Sequence, residues 1–195
     1  MPCQRDTPRC LSATNYAEMT DPCCMRNLRN VVHYVLDLLE ANHIPYWADY
    51  GTLLGAVRHG GIIPWDGDAD LSIRAEDLPK LMALQRKVEL DGYEWDYMDE
   101  RERVQVRYSR VNRTNVDIFA WRTREDGTLY RKGYCPVIDP YKGKDFPLAW
   151  LYPLQHLPFE GRTVPAPFEA ERLLAHRYGA DWRTPLQAAN DGVLR

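Results

Sequence analysis

Three aspartates stand within five residues, in Trp65-Asp66-Gly67-Asp68-Ala69-Asp70. From Asp68 to Ile73 the chain alternates, which predicts a strand with Asp68 and Asp70 on one face and Ala69 and Leu71 on the other. Two carboxylates held side by side repel, and burying them without compensation is costly. A divalent cation is the usual resolution, and an all-oxygen donor set favours Mg2+ or Mn2+ over zinc. A third acid, Asp117, sits in Asn115-Val116-Asp117-Ile118-Phe119, an apolar strand-like run where a carboxylate needs a partner. Other readings stay open at this level. The acidic stretch could be a turn that caps its neighbours, or an oxygen-rich calcium loop, although it lacks the later Glu and the spacing of an EF-hand. Asp117 could pair with Arg107 or Arg110, both near it in sequence.

Upstream, Gly51-Thr52 opens a short predicted helix that runs to about Arg58. A glycine between strand and helix offers backbone N–H groups and the positive end of the helix dipole to a phosphate. The Thr52 hydroxyl can add a donor, and Arg58 and His59 can neutralise phosphate oxygens. A Gly-Thr pair followed closely by an Asp-x-Asp strand suits phosphoryl transfer, in which donors cradle the phosphates and cations take up charge on the transferred group. Trp65, like Trp95 and Trp121, reads as core packing or pocket wall.

Four of the five cysteines, Cys3, Cys10, Cys23 and Cys24, lie in the first 24 residues, and Cys135 stands alone. The four could form a zinc site, two disulfides or free buried thiols. A zinc ion held by four thiolates would be structural and would pin the N-terminal loop to the domain.

These residues need a frame. Leu28, Val31, Val32, Val35, Leu38 and Leu39 recur at helical spacing and predict a helix over 22–41, started by Pro22 and ended at Asn42-His43. A short strand is expected at 44–49. The Asp68–Ile73 strand follows, then a helix over about 76–90 with Leu78, Leu81, Met82 and Leu84 facing inward. Strands are expected at 93–98, 103–110 and 115–121, an irregular stretch at 122–158, a short strand near 159–164 and a last helix at about 168–178 ended by Gly179. This order predicts one α/β or α+β domain with a mixed sheet flanked by helices. The chain divides into a Cys-rich loop at 1–24 and a catalytic core at 25–185.

Composition narrows the classes. With 195 residues, 45% hydrophobic and 27% charged, the chain can build a core and is not wholly disordered. Its net charge of −3 argues against a nucleic-acid binder working through a basic surface. No apolar run reaches the roughly 18 residues of a membrane-spanning helix. The N-terminus has no apolar signal-peptide region, so the cytoplasm is expected, or the Golgi lumen if this is an excised domain of an anchored protein.

The block GTLLGAVRHGGIIPWDGDADLSI (51–73), together with VDIFAW (116–121) and the C-terminal PLQHLPFEGRTVPAPFEAERLLAHRYGADWRTP (153–185), resembles the LicD family, including its fukutin and fukutin-related branch. The resemblance implies a nucleotidyltransferase-like fold, in which a Gly-Ser or Gly-Thr helix start and an Asp-x-Asp strand hold metal and nucleotide. Asp68, Asp70 and Asp117 fall on the metal positions. Gly51, Thr52, Arg58, His59, Trp65 and Asp66 fall at the substrate, with Asp66 either touching it or supporting the ligands. The early cysteines also look like the zinc loop of the fukutin-related branch, which favours structural Zn2+.

The activity implied is transfer of a phospho-alcohol from a CDP-activated donor to a hydroxyl of a glycan, with release of CMP. Phosphocholine, ribitol phosphate and glycerol phosphate are candidate cargoes, and Asp117 is the candidate to orient the hydroxyl or accept its proton. A nucleotidyltransferase releasing pyrophosphate and an inactive glycan- or partner-binding module of the same fold are the alternatives.

Overall fold

A computed structural model describes residues 3–8, 10, 19–133 and 144–184 of the chain. Helix α1 (Pro22–Ala41) is capped by Asp21, whose side chain accepts from the Cys23 N–H at 3.0 Å, and Pro22 sits in its first turn, where no N–H is needed. Its apolar side, with Leu28, Val31, Val32, Val35 and Leu39 buried, packs across three strands of the sheet, β2 (Asp68–Arg74), β4 (Arg103–Arg107) and β5 (Asn115–Thr123). Burying each such side chain contributes roughly 1.5–3 kcal/mol.

The sheet has the order β1-β2-β5-β4-β3, with β1 at Tyr46–Ala48 and β3 at Glu94–Met98. Strands β2 and β5 run parallel, with Asp68 opposite Asn115 and Asp70 opposite Asp117; the other pairings are antiparallel. On the α1 side stand Ala69, Leu71, Ile73, Val104, Val106, Val116 and Ile118, all buried. Strict alternation sends Asp68, Asp70, Asn115, Asp117, Arg103, Gln105 and Arg107 to the other side. The α1 face of the sheet is apolar, whereas the face that carries the acids is polar around Asp68, Asp70 and Asp117 and turns apolar further along at Trp47, Phe119 and Trp121.

Several elements differ from the sequence expectation, and the strand expected at 103–110 ends at Arg107. The 76–90 helix is split: a 3-10 turn at 75–77, α3 (Leu78–Met82) and α4 (Gln85–Leu90). The Leu84 N–H bonds to the carbonyl of Leu81, a tighter i to i+3 step that interrupts the α-helical ladder. Within the stretch read as irregular, the described residues carry more strand than expected. Strand β5 runs on to Thr123 and turns at Asp126-Gly127 into β6 (Thr128–Arg131), which pairs with it, and β7 (Phe146–Pro147) pairs with β6. The signal was present: Gly127 takes a positive φ of 80° and Asp126 Oδ1 accepts from the Thr128 N–H, a hairpin built on Asp-Gly. Cys135 and the 134–143 part of that stretch lie outside the described residues.

The short strand near 159–164 is one arm of a hairpin, β8 (Gln155–Phe159) with β9 (Arg162–Ala166). Its tip residue Glu160 bonds Arg29 on α1 and accepts from the Ile62 N–H at 2.7 Å, tying α1 to the loop ahead of the acids. Helix α5 (Ala170–Tyr178) ends at Gly179, as expected, and packs against α2 (Tyr50–His59).

Candidate active site

The site forms where α2 meets β2. Asp49 caps α2, its side chain accepting from the Tyr50 N–H, and Gly60 ends the helix in the left-handed region at φ 69°. Three hydrogen bonds then tie the helix start to the acid strand. The Asp49 N–H donates to the Asp70 carbonyl at 3.1 Å, the Asp70 N–H donates to Thr52 Oγ1 at 2.7 Å, and the Gly51 N–H donates to Asp70 Oδ2 at 3.1 Å. Gly51 and Thr52, expected at a phosphate, are thus both engaged with Asp70, and Thr52 is buried.

Asp68, Asp70 and Asp117 each contribute a carboxylate oxygen to a group whose members all lie within 4.8 Å of one another. Asp70 and Asp117 are buried and Asp68 is half-buried. Gly51 forms one wall. A Cβ on it would stand 3.2 Å from Asp66 Oδ2 and 3.4 Å from Asp70 Oδ2, so the helix start lies against both carboxylates with little room for a side chain. Asp66 therefore adjoins the cluster. Its backbone is held by Thr20, whose Oγ1 donates to the Asp66 carbonyl at 2.8 Å.

Asp117 has an arginine partner, but it is neither Arg107 nor Arg110. Arg103 Nη1 donates to Asp117 Oδ2 at 3.2 Å and Gln105 Nε2 donates to Oδ1 at 2.8 Å. The antiparallel register sets Gln105 directly across from Asp117 and Arg107 across from Asn115, while Arg107 bonds Asp96 and Arg110 pairs with Glu94.

Arg58 and His59, at the end of α2, stand over Trp65. The Arg58 guanidinium lies 6.0 Å from the Trp65 ring centroid and Nη1 donates to the Trp182 carbonyl at 3.2 Å. Burial lowers the Arg58 pKa, opposed by the charge of Asp66. His59 meets Trp65 edge-on at 5.9 Å, and its pKa is lowered by burial and then by Arg58. Trp65 is half-buried beside Arg58 and His59, whereas Trp121 is fully buried core.

Several residues of this region are not apparent from local sequence. Asp49 forms an ion pair with Arg177, both fully buried, and accepts from Ser72 Oγ at 2.6 Å; Ser72 in turn accepts from Trp121 Nε1 at 3.0 Å. The Arg177 guanidinium lies 4.3 Å from the Tyr50 ring centroid. Tyr50 carries a positive φ of 40°, and its phenol, pushed up to about 12 by burial, accepts from Arg131 Nη1 at 2.9 Å. Tyr178 lies within electrostatic reach of Asp70 and Arg58, and burial raises its phenol well above the ordinary range. The one local signal was the alternation of β4, Arg-Val-Gln-Val-Arg, which places three polar side chains on the face of the acids.

The four early cysteines meet. Cys3 is bridged to Cys23 and Cys10 to Cys24, and Cys3 Sγ lies 3.6 Å from Cys24 Sγ. Of the alternatives open from sequence, the structure has the disulfide pairing, with both pairs gathered in one buried cluster. The cluster is fastened to the sheet ahead of β5, where the Arg113 N–H donates to the Cys10 carbonyl at 2.7 Å.

Residues 43–169 match the family described as LicD/FKTN/FKRP, nucleotidyltransferase domain. The chain is 36% identical over 190 residues to the ribitol 5-phosphate transferase FKRP of Homo sapiens, covering 91% of this chain and 38% of that protein. Over 53 residues it is 38% identical to the lipopolysaccharide cholinephosphotransferase LicD of Haemophilus influenzae, covering 27% of this chain and 20% of that one. Among solved structures, the lincosamide antibiotic adenylyltransferase LnuA with lincomycin bound aligns with a TM-score of 0.49 at 20% identity, over 75% of this chain and 84% of that one. The chain spans well under half the length of these two curated relatives. The acid strand, the α2 start and β5 all fall inside the matched residues, and the chain belongs to the LicD/FKTN/FKRP nucleotidyltransferase-domain family.

Proposed function

We propose that this chain transfers a phospho-alcohol, such as ribitol phosphate, phosphocholine or glycerol phosphate, from a CDP-linked donor to a hydroxyl of a glycan, and releases CMP. The observation that carries this reading is the convergence of Asp68, Asp70 and Asp117 within 4.8 Å beside the start of α2. The ribitol 5-phosphate and cholinephosphate transferases named above are similar proteins whose reactions support it.

The donor set fits a divalent cation: three carboxylates, all oxygen ligands, gathered on two parallel strands. Asp68, Asp70 and Asp117 would hold Mg2+ or Mn2+, which when bound neutralises charge on diphosphate oxygens. The remaining work falls to the chain. The bonds from Gly51 and Thr52 hold Asp70 in place. Arg58, oriented by the Trp182 carbonyl, offers guanidinium N–H groups to phosphate oxygens on the α2 side. Trp65, with Arg58 and His59, walls the cleft beside Asp66. The acceptor hydroxyl oxygen attacks the distal phosphorus in line, and a new P–O bond forms. The P–O bond to the CMP phosphate breaks with the bridging oxygen leaving on CMP, and the hydroxyl proton passes to the departing phosphate or to solvent. Both Asp117 oxygens accept hydrogen bonds from β4, which favours an orienting role for Asp117 over that of proton acceptor.

When reduced, the cysteine cluster would offer structural Zn2+ the sulfurs of Cys3, Cys23 and Cys24, which with Asp21 bring one ligand atom each within 4.8 Å of one another, and Cys10 is adjacent through Cys24. Protein purified under reducing conditions is expected to carry about one zinc per chain. Zinc-free protein with no free thiols at Cys3, Cys10, Cys23 and Cys24 would assign them to disulfides instead.

The test of function is a donor panel with Mg2+: CDP-ribitol, CDP-choline, CDP-glycerol and CDP-ethanolamine, each followed for CMP. Metal-dependent CMP release from one donor is the expected result. Pyrophosphate from a nucleoside triphosphate would mark a nucleotidyltransferase. CDP binding with no turnover across the panel would mark a binding module.

A further inference from the structure

Strand β4 contributes more than a partner for β5. Its site-face residues form a chain of hydrogen bonds that ends on Asp117. Asp96 Oδ2 accepts from Arg107 Nη2 at 2.6 Å, Arg107 Nε donates to Gln105 Oε1, and Gln105 Nε2 donates to Asp117 Oδ1 at 2.8 Å. An amide can present either end to a neighbour, so a glutamine beside a carboxylate does not by itself fix direction. Here the far end decides. A guanidinium has donors only, so Arg107 requires the oxygen of Gln105 and leaves the NH2 for Asp117. The flipped amide would set donor against donor at Arg107 and acceptor against acceptor at Asp117, losing both bonds. Gln105 is buried between these partners and lies directly across from Asp117 in the ladder.

We infer that Gln105, locked by Arg107, is a positioning residue that fixes the Asp117 carboxylate in the orientation that completes the acid cluster. A carboxylate oxygen can accept more than one bond, so Gln105 on Oδ1 and Arg103 on Oδ2 are compatible with a cation shared with Asp68 and Asp70. Partners that orient a ligand set its affinity although they never touch the ion. This inference rests on the proposed cation site and goes beyond it by naming residues that act through Asp117.

The test is Mn2+ titration of the whole chain without substrate, followed by electron paramagnetic resonance, on wild type, Gln105→Met, Arg107→Met, Arg107→Lys and the double variant Gln105→Met/Arg107→Met. Gln105→Met is expected to weaken Mn2+ binding about 10- to 100-fold. Arg107→Met is expected to weaken it as well, although removing a positive charge near an acid cluster would by Coulomb's law alone tighten it. Arg107→Lys should recover part of the affinity. The double variant should bind no more weakly than Gln105→Met, because the two residues act in series. Circular dichroism and urea midpoints show which variants are folded. Should Gln105→Met fail to fold, Arg107→Met against Arg107→Lys carries the test, since Arg107 is nearer the surface. Wild-type binding with unchanged affinity in Gln105→Met, tighter binding in Arg107→Met, or additive losses would overturn the inference and leave the cation site standing. No Mn2+ binding by wild type would overturn the cation site, and the inference with it.

Discussion

Asp49 and Asp70 touch through the backbone, the N–H of one on the carbonyl of the other, but their side chains have opposite surroundings. Asp49 is fully buried and compensated from within: Arg177 supplies the counter-charge, and Ser72 and the Tyr50 N–H supply hydrogen bonds. Asp70 is buried beside Asp68 and Asp117, where like charges gather. A carboxylate that the chain neutralises with its own arginine holds the fold together. The acid cluster has partners of its own, Arg103 and Gln105 on Asp117 and the Gly51 N–H on Asp70. It differs from Asp49 in gathering three carboxylates within 4.8 Å at the start of α2, a donor set that suits a cation. One helix start serves both, with its cap in the structural pocket and its next N–H groups at the site.

Breaking the closed pocket should cost stability first. Arg177→Met removes the partner of a buried carboxylate, and the loss expected is about 3–5 kcal/mol. Urea denaturation monitored by tryptophan fluorescence measures it; a change under about 1 kcal/mol would show that the pair contributes little. Disturbing the wall that separates pocket from site should act the other way round. Gly51→Ala brings a methyl to 3.2 Å from Asp66 Oδ2 and 3.4 Å from Asp70 Oδ2, so the carboxylates must give by a few tenths of an ångström. Turnover should fall by about 10-fold, short of the about 100-fold of a 1 Å misplacement, while the urea midpoint moves little. Equal losses of stability and turnover would place Gly51 with the structural group.

The smallest effect concerns His59 at the rim. Its pKa is lowered in the folded state by burial and by Arg58, so below pH 6.5 the unfolded chain takes up a proton that the folded chain resists. The folded state loses stability as pH falls through 6.5 toward the lowered value, and above pH 7 the residue has no effect. Wild type and His59→Gln should therefore have the same urea midpoint difference at pH 7.5 and 8.5, with wild type losing ground at pH 5.5. Parallel behaviour across the range would contradict this. The shift is small because His59 is exposed.

The contrast also explains what could be read from sequence. The acids were legible because an alternating strand fixes which side chains share a face, and because an aspartate inside Val116-Asp117-Ile118 is conspicuous. Helix α1 was legible from its periodicity and its proline. What sequence hid was pairing at a distance. Arg177 lies 128 positions from Asp49, and nothing local marks either as half of a pair. Arg103 reaches Asp117 because of strand register, whereas nearness along the chain pointed to Arg107 and Arg110. Thr52 looked like a donor to phosphate because the helix start faces the site, but the approach of β2 turns its oxygen to the Asp70 N–H. Strand β6 was missed although Asp126-Gly127 announces a hairpin, because the flanking composition suggested a loop.

The central claim is that Asp68, Asp70 and Asp117 form a cation site and not a second structural pocket. It is tested most directly by thermal unfolding of wild type and Asp70→Asn with and without Mn2+. Without metal the variant should be at least as stable as wild type, since a repelling charge is gone and an amide oxygen can still accept from Gly51. With Mn2+ at 100 times its dissociation constant, wild type should gain about 2.7 kcal/mol and the variant little. The variant should also lose about 1000-fold in turnover, or about 4 kcal/mol. A wild-type transition that Mn2+ does not move, with the variant strongly destabilised, would make the acid cluster part of the scaffold.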